Sequence, residues 1–177
     1  MNLEALQHLV RAAQALAEEP SIFVFGSASL LASFPELGKA DGPLATTYDA
    51  DLYPDPFDEL VAMMLDEALG ENRAYYRRHG YHADILRDSI LTTLPTGWRD
   101  RLVPVPGTSR ARALDPHDLA AVKLLVGRPK DLALLQILKN AGLVRAEIVQ
   151  ERMNLLDIPV ELRPRMQASF RVIFGNL

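Results

Sequence analysis

The sequence predicts an α/β (α+β) fold, a small mixed β-sheet flanked by helices with a helical C-terminal part. Three observations predict it. An apolar, β-prone run ending in Phe23-Val24-Phe25 stops at Gly26-Ser27 and gives way to a helix-like segment. Two further strand-like runs, Thr46 to Tyr53 and Tyr81 to Leu86, alternate with helical spans. From Asp115 onward every periodic stretch has helical spacing. Strands interleaved with helices need a sheet covered by helices, and a purely helical tail packs as its own layer. We divide the chain into an α/β core over residues 1–114 and a helical part over 115–177, expected to share one core.

Each element has a local reason. Leu3, Leu6, Leu9, Val10, Ala13 and Leu16 fall at helical spacing, so an amphipathic helix runs from Leu3 to Ala17, and Glu18-Glu19-Pro20 ends it. Ile22 to Phe25 is a short buried strand. Ser27 to Phe34 is a helix terminated by Pro35, and Glu36 to Leu44, with Gly38, Gly42 and Pro43, is a loop placed to cover the site. Thr46 to Tyr53 is the second strand, stopped by Pro54-Asp55-Pro56. A helix follows from Asp58 to Leu69, with Phe57, Leu60, Val61, Met64, Leu65 and Leu69 as its apolar face and the Met63-Met64 pair as core filler. Tyr81 to Leu86 is a third strand, and Trp98 to Pro106 a further one, with Pro104 and Pro106 favouring a sheet edge. Asp115 N-caps a helix with Pro116 at its first position and Asp118 in its first turn. That helix runs to Val126, the next from Lys130 to Asn140 with Gly142 as its stop, and two more cover Ala146 to Leu156 and Val160 to Phe174, separated by Pro159.

Composition narrows the function classes. Hydrophobic residues are 49% and charged residues 24% of the 177, ordinary globular values that argue against disorder. No apolar run approaches the roughly 20 residues a membrane span needs, and the N-terminus lacks a secretory pattern, so a cytoplasmic protein with no membrane partner is expected. There is no cysteine, which removes disulfides, thiolate metal sites and Cys nucleophiles. The net charge of -4 conceals an asymmetry. Met1 to Gly70 carries two basic against twelve acidic residues, and Glu71 to Leu177 seventeen basic against eleven acidic. An acidic face that needs a cation before a triphosphate can approach, with a later half able to hold an anion, is one reading; unevenly charged solvated surface is the other. No dense Lys/Arg cluster gives a nucleic-acid footprint in the sequence.

The chemistry points to two short stretches. At Gly26-Ser27 a strand breaks into a helix, leaving backbone N–H groups facing outward as a seat for phosphate, with Ser27 and Ser29 as hydroxyl donors. An ordinary helix cap would use the same residues. In Asp49-Ala50-Asp51 the two carboxylates project from one side of a strand, where their repulsion is relieved by a divalent cation. A phosphate seat beside paired carboxylates describes a Mg²⁺-nucleotide site, in which few protein ligands and the phosphate oxygens share the metal. His79, His82 and His117 show no zinc spacing. Tyr75-Tyr76-Arg77-Arg78 suits either stacking on nucleic acid or packing along a helix edge.

Gly26, Ser27, Asp49 and Asp51, with Asp115-Pro116-His117-Asp118-Leu119-Ala120-Ala121-Val122-Lys123 and Gly127-Arg128-Pro129-Lys130-Asp131, resemble the nucleotidyltransferase superfamily of DNA polymerase β type, and within it the bacterial AbiEii-like proteins. The interval between Gly-Ser and Asp-x-Asp is longer than in minimal members, which implies an inserted loop. The resemblance implies that Asp84, on a neighbouring strand, is a third carboxylate that helps bind metal and deprotonates the attacking hydroxyl. It also implies that Lys123, Arg128 and Lys130 lie near the nucleotide, although lysines on helices are ordinarily exposed solubility residues. Asp131 either orients Lys123 or Arg128 or simply occupies a helix first turn.

The expected function is transfer of an NMP from an NTP to a hydroxyl, using Mg²⁺ or Mn²⁺, with Asp49, Asp51 and Asp84 as catalytic and metal-binding residues. Gly26, Ser27, Ser29, Lys123, Arg128 and Lys130 are the nucleotide-binding set. The resemblance points to RNA, including tRNA, or a protein as acceptor and to a component of a toxin-antitoxin pair. The alternatives are an inactive nucleotidyltransferase-like module that binds nucleotide or protein, and a structural subunit that dimerises through its C-terminal helices.

Overall fold

Ser21–Phe25 forms β1, an apolar strand that is buried at all but its first residue and that takes a neighbour on both edges. The computed structural model describes residues 1–18 and 20–175, so the part of the Glu18-Glu19-Pro20 stop at Glu19 lies outside the described residues. Two compact units are present, Met1–Asp88 with Arg101–Leu114, and Ser89–Asp100 with the chain from Asp115 onward. Among the described residues no helix is long and apolar enough to cross a membrane.

The first unit holds a mixed five-stranded sheet in the order β3-β2-β1-β5-β4, where β2 is Asp49–Asp55, β3 His82–Ile85, β4 Val103–Pro104 and β5 Ala111–Ala113. β2 runs antiparallel to β1 and parallel to β3, and β5 runs parallel to β1. Pro54 lies inside β2 opposite Ile22, so the strand continues past the proline expected to stop it. The amide of Ile22 bonds the carbonyl of Arg110 on the β5 side, which makes Ile22 and Pro54 a non-hydrogen-bonded pair. The ring nitrogen of Pro54 therefore points toward β3, whose ladder has already ended at the Leu52–Ile85 pair, and no hydrogen bond is forfeited.

One face of this sheet is apolar and covered by α1 (Leu3–Leu16) and α3 (Glu59–Leu69), with Leu6, Leu9, Val10 and Ala13 of α1 and Ala62, Leu65 and Leu69 of α3 buried alongside Ile22, Val24 and Leu52. The stripe that α3 buries is narrower than expected. Leu60, Met63 and Met64 are 77%, 56% and 40% exposed, so the methionine pair is not core filler, and Leu16 at the end of α1 also faces solvent. The polar side of α1 has a structural use: Gln7 donates to Pro106 O, Arg11 to Gly107 O and Gln14 to Ser109 O, tying the helix to the β4–β5 connection.

The expected Ser27–Phe34 helix is divided into a 3₁₀ turn, Ser27–Ser29, and the four-residue α2, Leu30–Ser33. The segment expected to be a loop begins as a 3₁₀ turn, Pro35–Gly38, and buries Leu37 and Leu44. α4 spans Ala74–His79 and contains Tyr75-Tyr76-Arg77-Arg78. The Trp98–Pro106 strand is largely a correction: Trp98–Arg101 is a 3₁₀ turn, and only Val103–Pro104 pairs, at the sheet edge.

The second unit is built on α5, Pro116–Val126, whose neighbours are α6 (Pro129–Asn140), α7 (Ala146–Asn154) and α8 (Arg163–Phe174). Asp115 caps α5 as expected, its Oδ1 accepting from the amides of His117 and Asp118 at 2.9 and 3.3 Å, with Pro116 at the first position. Gly127 ends it in a left-handed conformation. α8 starts at Arg163 because Val160–Leu162 forms a 3₁₀ turn first.

Candidate functional site

β1 ends at Gly26, whose backbone (φ 56°, ψ -162°) is in a region that belongs essentially to glycine. A Cβ here would stand 1.8 Å from Oδ2 of Asp51, so the carboxylate packs directly against the glycine backbone. The turn that follows is held from inside. The Ser29 hydroxyl donates to Gly26 O at 2.8 Å and its amide to the same carbonyl at 3.2 Å, and Ser29 is fully buried. Ser29 thus serves the turn itself, while Ser27 is partly exposed. A three-residue turn in place of a long helix has no macrodipole to offer an anion, only individual amides.

Across the sheet, Asp51 faces Phe25 on β1 and Asp84 on β3, and Asp49 faces His82. Residues directly opposite each other project to the same side, and residues two apart in one strand do too. Asp49, Asp51, His82 and Asp84 consequently share the face turned away from Ala50, Leu52 and Ala83. Further along this face the side chains are aromatic and Phe23 and Tyr53 are buried: Tyr53 stacks between Phe23 and Phe57, with centroids 6.2 and 5.8 Å away, and its hydroxyl donates to Asp88 at 2.5 Å.

The Asp84 carboxyl is perturbed by its surroundings. Burial pushes its carboxyl above the usual range; His82, with Nε2 at 3.4 Å from Asp84 Oδ1, pulls it back, and the negative charges of Asp49, Glu71 and Asp66 push it up again, for a net rise. His82 is 8% exposed, its ring edge meets Tyr76 at 5.0 Å, and its Nδ1 is buried without a hydrogen-bond partner. Neither His82 beside the third acid nor Asp66 and Glu71 in its field follow from the sequence motifs; the pairing of β2 with β3 would have shown His82.

Among the described residues no three His, Cys, Asp or Glu side chains are gathered closely enough to hold a metal ion by themselves. The donors on the shared face are hard carboxylate oxygens, which suit Mg²⁺ or Mn²⁺, and Mg²⁺ is commonly held by one or two carboxylates with the remaining positions filled by substrate phosphate and water. The shared face therefore offers donors that suit a hard divalent cation whose other ligands come from water or phosphate.

In the second unit, Lys123 is not an exposed solubility residue. It is 8% exposed and its Nζ donates to Asp131 Oδ1 at 2.5 Å, joining α5 to α6. Arg128 Nε lies 3.5 Å from the other oxygen of Asp131 and its side chain is 62% exposed; Lys130 is exposed. Asp131 therefore orients both cations, one of the two readings the sequence left open. A second buried pair, Asp118 Oδ1 to Arg152 Nε at 3.2 Å, joins α5 to α7 and has no sequence signal. His117 is local as well: Nδ1 is 3.4 Å from Asp115 and Nε2 accepts from the Arg145 amide. In the first unit, His8 Nδ1 meets the hydroxyls of Tyr81 and Tyr75 at 2.8 and 2.9 Å, and the rings of His79 and His8 lie 4.7 Å apart.

A family model described as "Nucleotidyltransferase of unknown function (DUF6036)" matches residues 2–167. No curated protein and no solved structure matches the chain.

Proposed function

This chain belongs to the DUF6036 family of nucleotidyltransferases, and from that premise we propose that the acidic face of its first unit transfers an NMP from an NTP to an acceptor hydroxyl. One observation carries the reading: strand register brings Asp49, Asp51 and Asp84 to one side of the sheet, with Asp51 packed on the Gly26 turn. Asp49 and Asp51, with Asp84 beside them, would hold Mg²⁺ or Mn²⁺ together with the phosphates, and the cation would neutralise charge at the α-phosphate and the leaving pyrophosphate. Amides at Gly26 and Ser27 orient the triphosphate, and Ser29 keeps that turn in shape. Asp84, whose carboxylate burial makes more basic, accepts the proton released by the acceptor hydroxyl. Arg128 and Lys130, exposed in the second unit, belong to the proposal as phosphate partners, whereas Lys123 is occupied by Asp131 and holds α5 to α6. A cytoplasmic location, kinship with AbiEii-like proteins, RNA, tRNA or protein as acceptor, a toxin-antitoxin role, and assembly as a homodimer or with a partner protein belong to the proposal as well.

A second reading is a module that binds nucleotide or protein through the same turn and acidic face without catalysis. One experiment separates the two. Calorimetry with each NTP, with and without Mg²⁺, is run on the wild type, on Asp49→Asn/Asp51→Asn, and on Asp84→Asn, followed by transfer assays with α-labelled NTP. We expect the double variant to lose Mg²⁺-dependent binding at least tenfold and Asp84→Asn to bind but not transfer. A double variant that binds as the wild type does would remove the metal assignment. A wild type that binds without transferring to RNA or to protein leaves the module.

A further inference from the structure

Among the described residues six polar or charged side chains are buried, and five of them have a partner that offsets the cost. Gln14 donates to Ser109 O, Ser29 to Gly26 O, Asp118 meets Arg152, and Lys123 meets Asp131. His82 is the exception. Its Nδ1 is buried with no hydrogen-bond partner, and its Nε2 ends 3.4 Å from Asp84 Oδ1, beyond the usual N–H···O length. A ring nitrogen stripped of water without a bond in return opposes folding. The Tyr76 and His82 rings meet edge to face with centroids 5.0 Å apart, and a phenyl in place of the imidazole would keep that packing with no polar atom to desolvate. What a phenyl could not do is reach Asp84 with a donor.

Asp84 needs such a donor to hold one orientation. Its side chain is 52% exposed, and among the described residues His82 is its one ion-pair or hydrogen-bond partner. A carboxylate that open exchanges freely between staggered rotamers. His82, whose side chain is 11% exposed, is the fixed member of the pair. The register sets the direction of the contact: His82 lies opposite Asp49 and Asp84 opposite Asp51, so Nε2 draws Asp84 back along β3 toward Asp49. We propose that His82 is a positioning residue, which through Nε2 holds the Asp84 carboxylate over the shared acidic face and leaves its second oxygen to the acceptor hydroxyl. Contacts of this kind are often long in the free protein and shorten in the substrate complex. The tether itself is independent of the transferase reading, whereas the use made of the second oxygen rests on it.

The test reads the Asp84 side chain directly. In the isotopically labelled whole chain without nucleotide or metal, the three-bond couplings from Cγ of Asp84 to its backbone nitrogen and carbonyl carbon report χ1. One dominant rotamer is expected in the wild type, averaging in His82→Phe, and one dominant rotamer again in His82→Gln, whose amide stands in for Nε2–H. His82→Phe should melt no lower than the wild type, because the orphaned nitrogen is gone. Averaged couplings in the wild type overturn the proposal, and so does a single rotamer that persists in His82→Phe. Transfer from α-labelled NTP then reads the consequence for the reaction. His82→Phe should lower kcat by up to about 100-fold, as expected for a misplaced catalytic group, with KM almost unchanged, and His82→Gln should restore most of the rate. A loss shared by kcat and NTP affinity that His82→Gln does not rescue marks a packing role and overturns the proposal. Couplings that show the tether in a wild type that transfers to no acceptor support the tether and remove the transferase reading alone.

Discussion

Replacing Gly26 with alanine tests the geometry on which the candidate site depends. The new methyl would begin 1.8 Å from Asp51 Oδ2, and that atom has to retreat past about 3.0 Å before the contact is tolerable. Strand β2 cannot yield, because Asp51 is paired on one side with Phe25 and on the other with Asp84. The carboxylate must therefore rotate, at about 0.5–1.5 kcal/mol for leaving its rotamer. A non-glycine residue at φ 56° and ψ -162° adds about 1–3 kcal/mol of backbone strain. A total near 3 kcal/mol corresponds to a fall in melting temperature of roughly 6–12 °C for a chain of this size. The displaced acid should also reduce Mg²⁺-dependent NTP binding. Thermal unfolding of Gly26→Ala, Asp51→Ala and the double variant, read as a thermodynamic cycle, separates the two costs: the rotation part vanishes in the Asp51→Ala background and the backbone part stays. A Gly26→Ala penalty below about 0.5 kcal/mol, or one of the same size with and without the Asp51 carboxylate, would refute the close approach as the reason for the glycine.

Three other perturbations have defined signs. Asp84 has a folded-state value above the ordinary one, so its contribution to stability is present in acid and lost as pH rises through that raised value; Asp84→Asn should flatten the decline in urea midpoint between pH 4 and 7, and a decline as steep as the wild type's would contradict this. Asp115 goes the other way: burial alone would raise its carboxyl, but hydrogen bonds from His117 and the helix amides hold it below the usual range. Asp115→Ala should cost about 1 kcal/mol at pH 7 through loss of the α5 cap, and the gap to wild type in chemical denaturation should narrow as pH falls through that lowered value. Asp131→Asn leaves the Lys123 ammonium buried without its anion and should cost about 3–5 kcal/mol, whereas Lys123→Met/Asp131→Leu should recover most of that loss in the same assay.

How much of this was legible in the sequence varies with what fixes each element. β1, β2, β3 and the Asp115 cap could be read because β-prone runs, turn residues and a capping Asp-Pro act locally. β5 was missed because Ala111-Arg112-Ala113 has no strand propensity of its own; it is a strand only because β1 offers a parallel edge. The exposure of Leu60, Met63 and Met64 was missed because periodicity shows that a stripe exists and not how wide the sheet beneath it is. For Lys123 the sequence offers a phosphate partner or an exposed helix lysine, and neither shows the burial, which comes from Asp131 on α6. The shared face of Asp49 and Asp51 follows from strand alternation alone. The addition of Asp84 and His82 to that face needed the parallel register of β3, which no local pattern encodes.

The parallel pairing of β1 with β5 has a consequence for how the protein is made. Ile22 must wait for Ala111 and Val24 for Ala113, so nearly ninety residues leave the ribosome between one edge of the ladder and the other. At typical translation speeds that is roughly 4–18 s. During that interval β2 and β3 are available to the nascent chain, but the other flank of its most apolar strand is an open template for any passing extended segment. A polypeptide released after Asp88 would keep that flank permanently bare, and self-association is its expected fate.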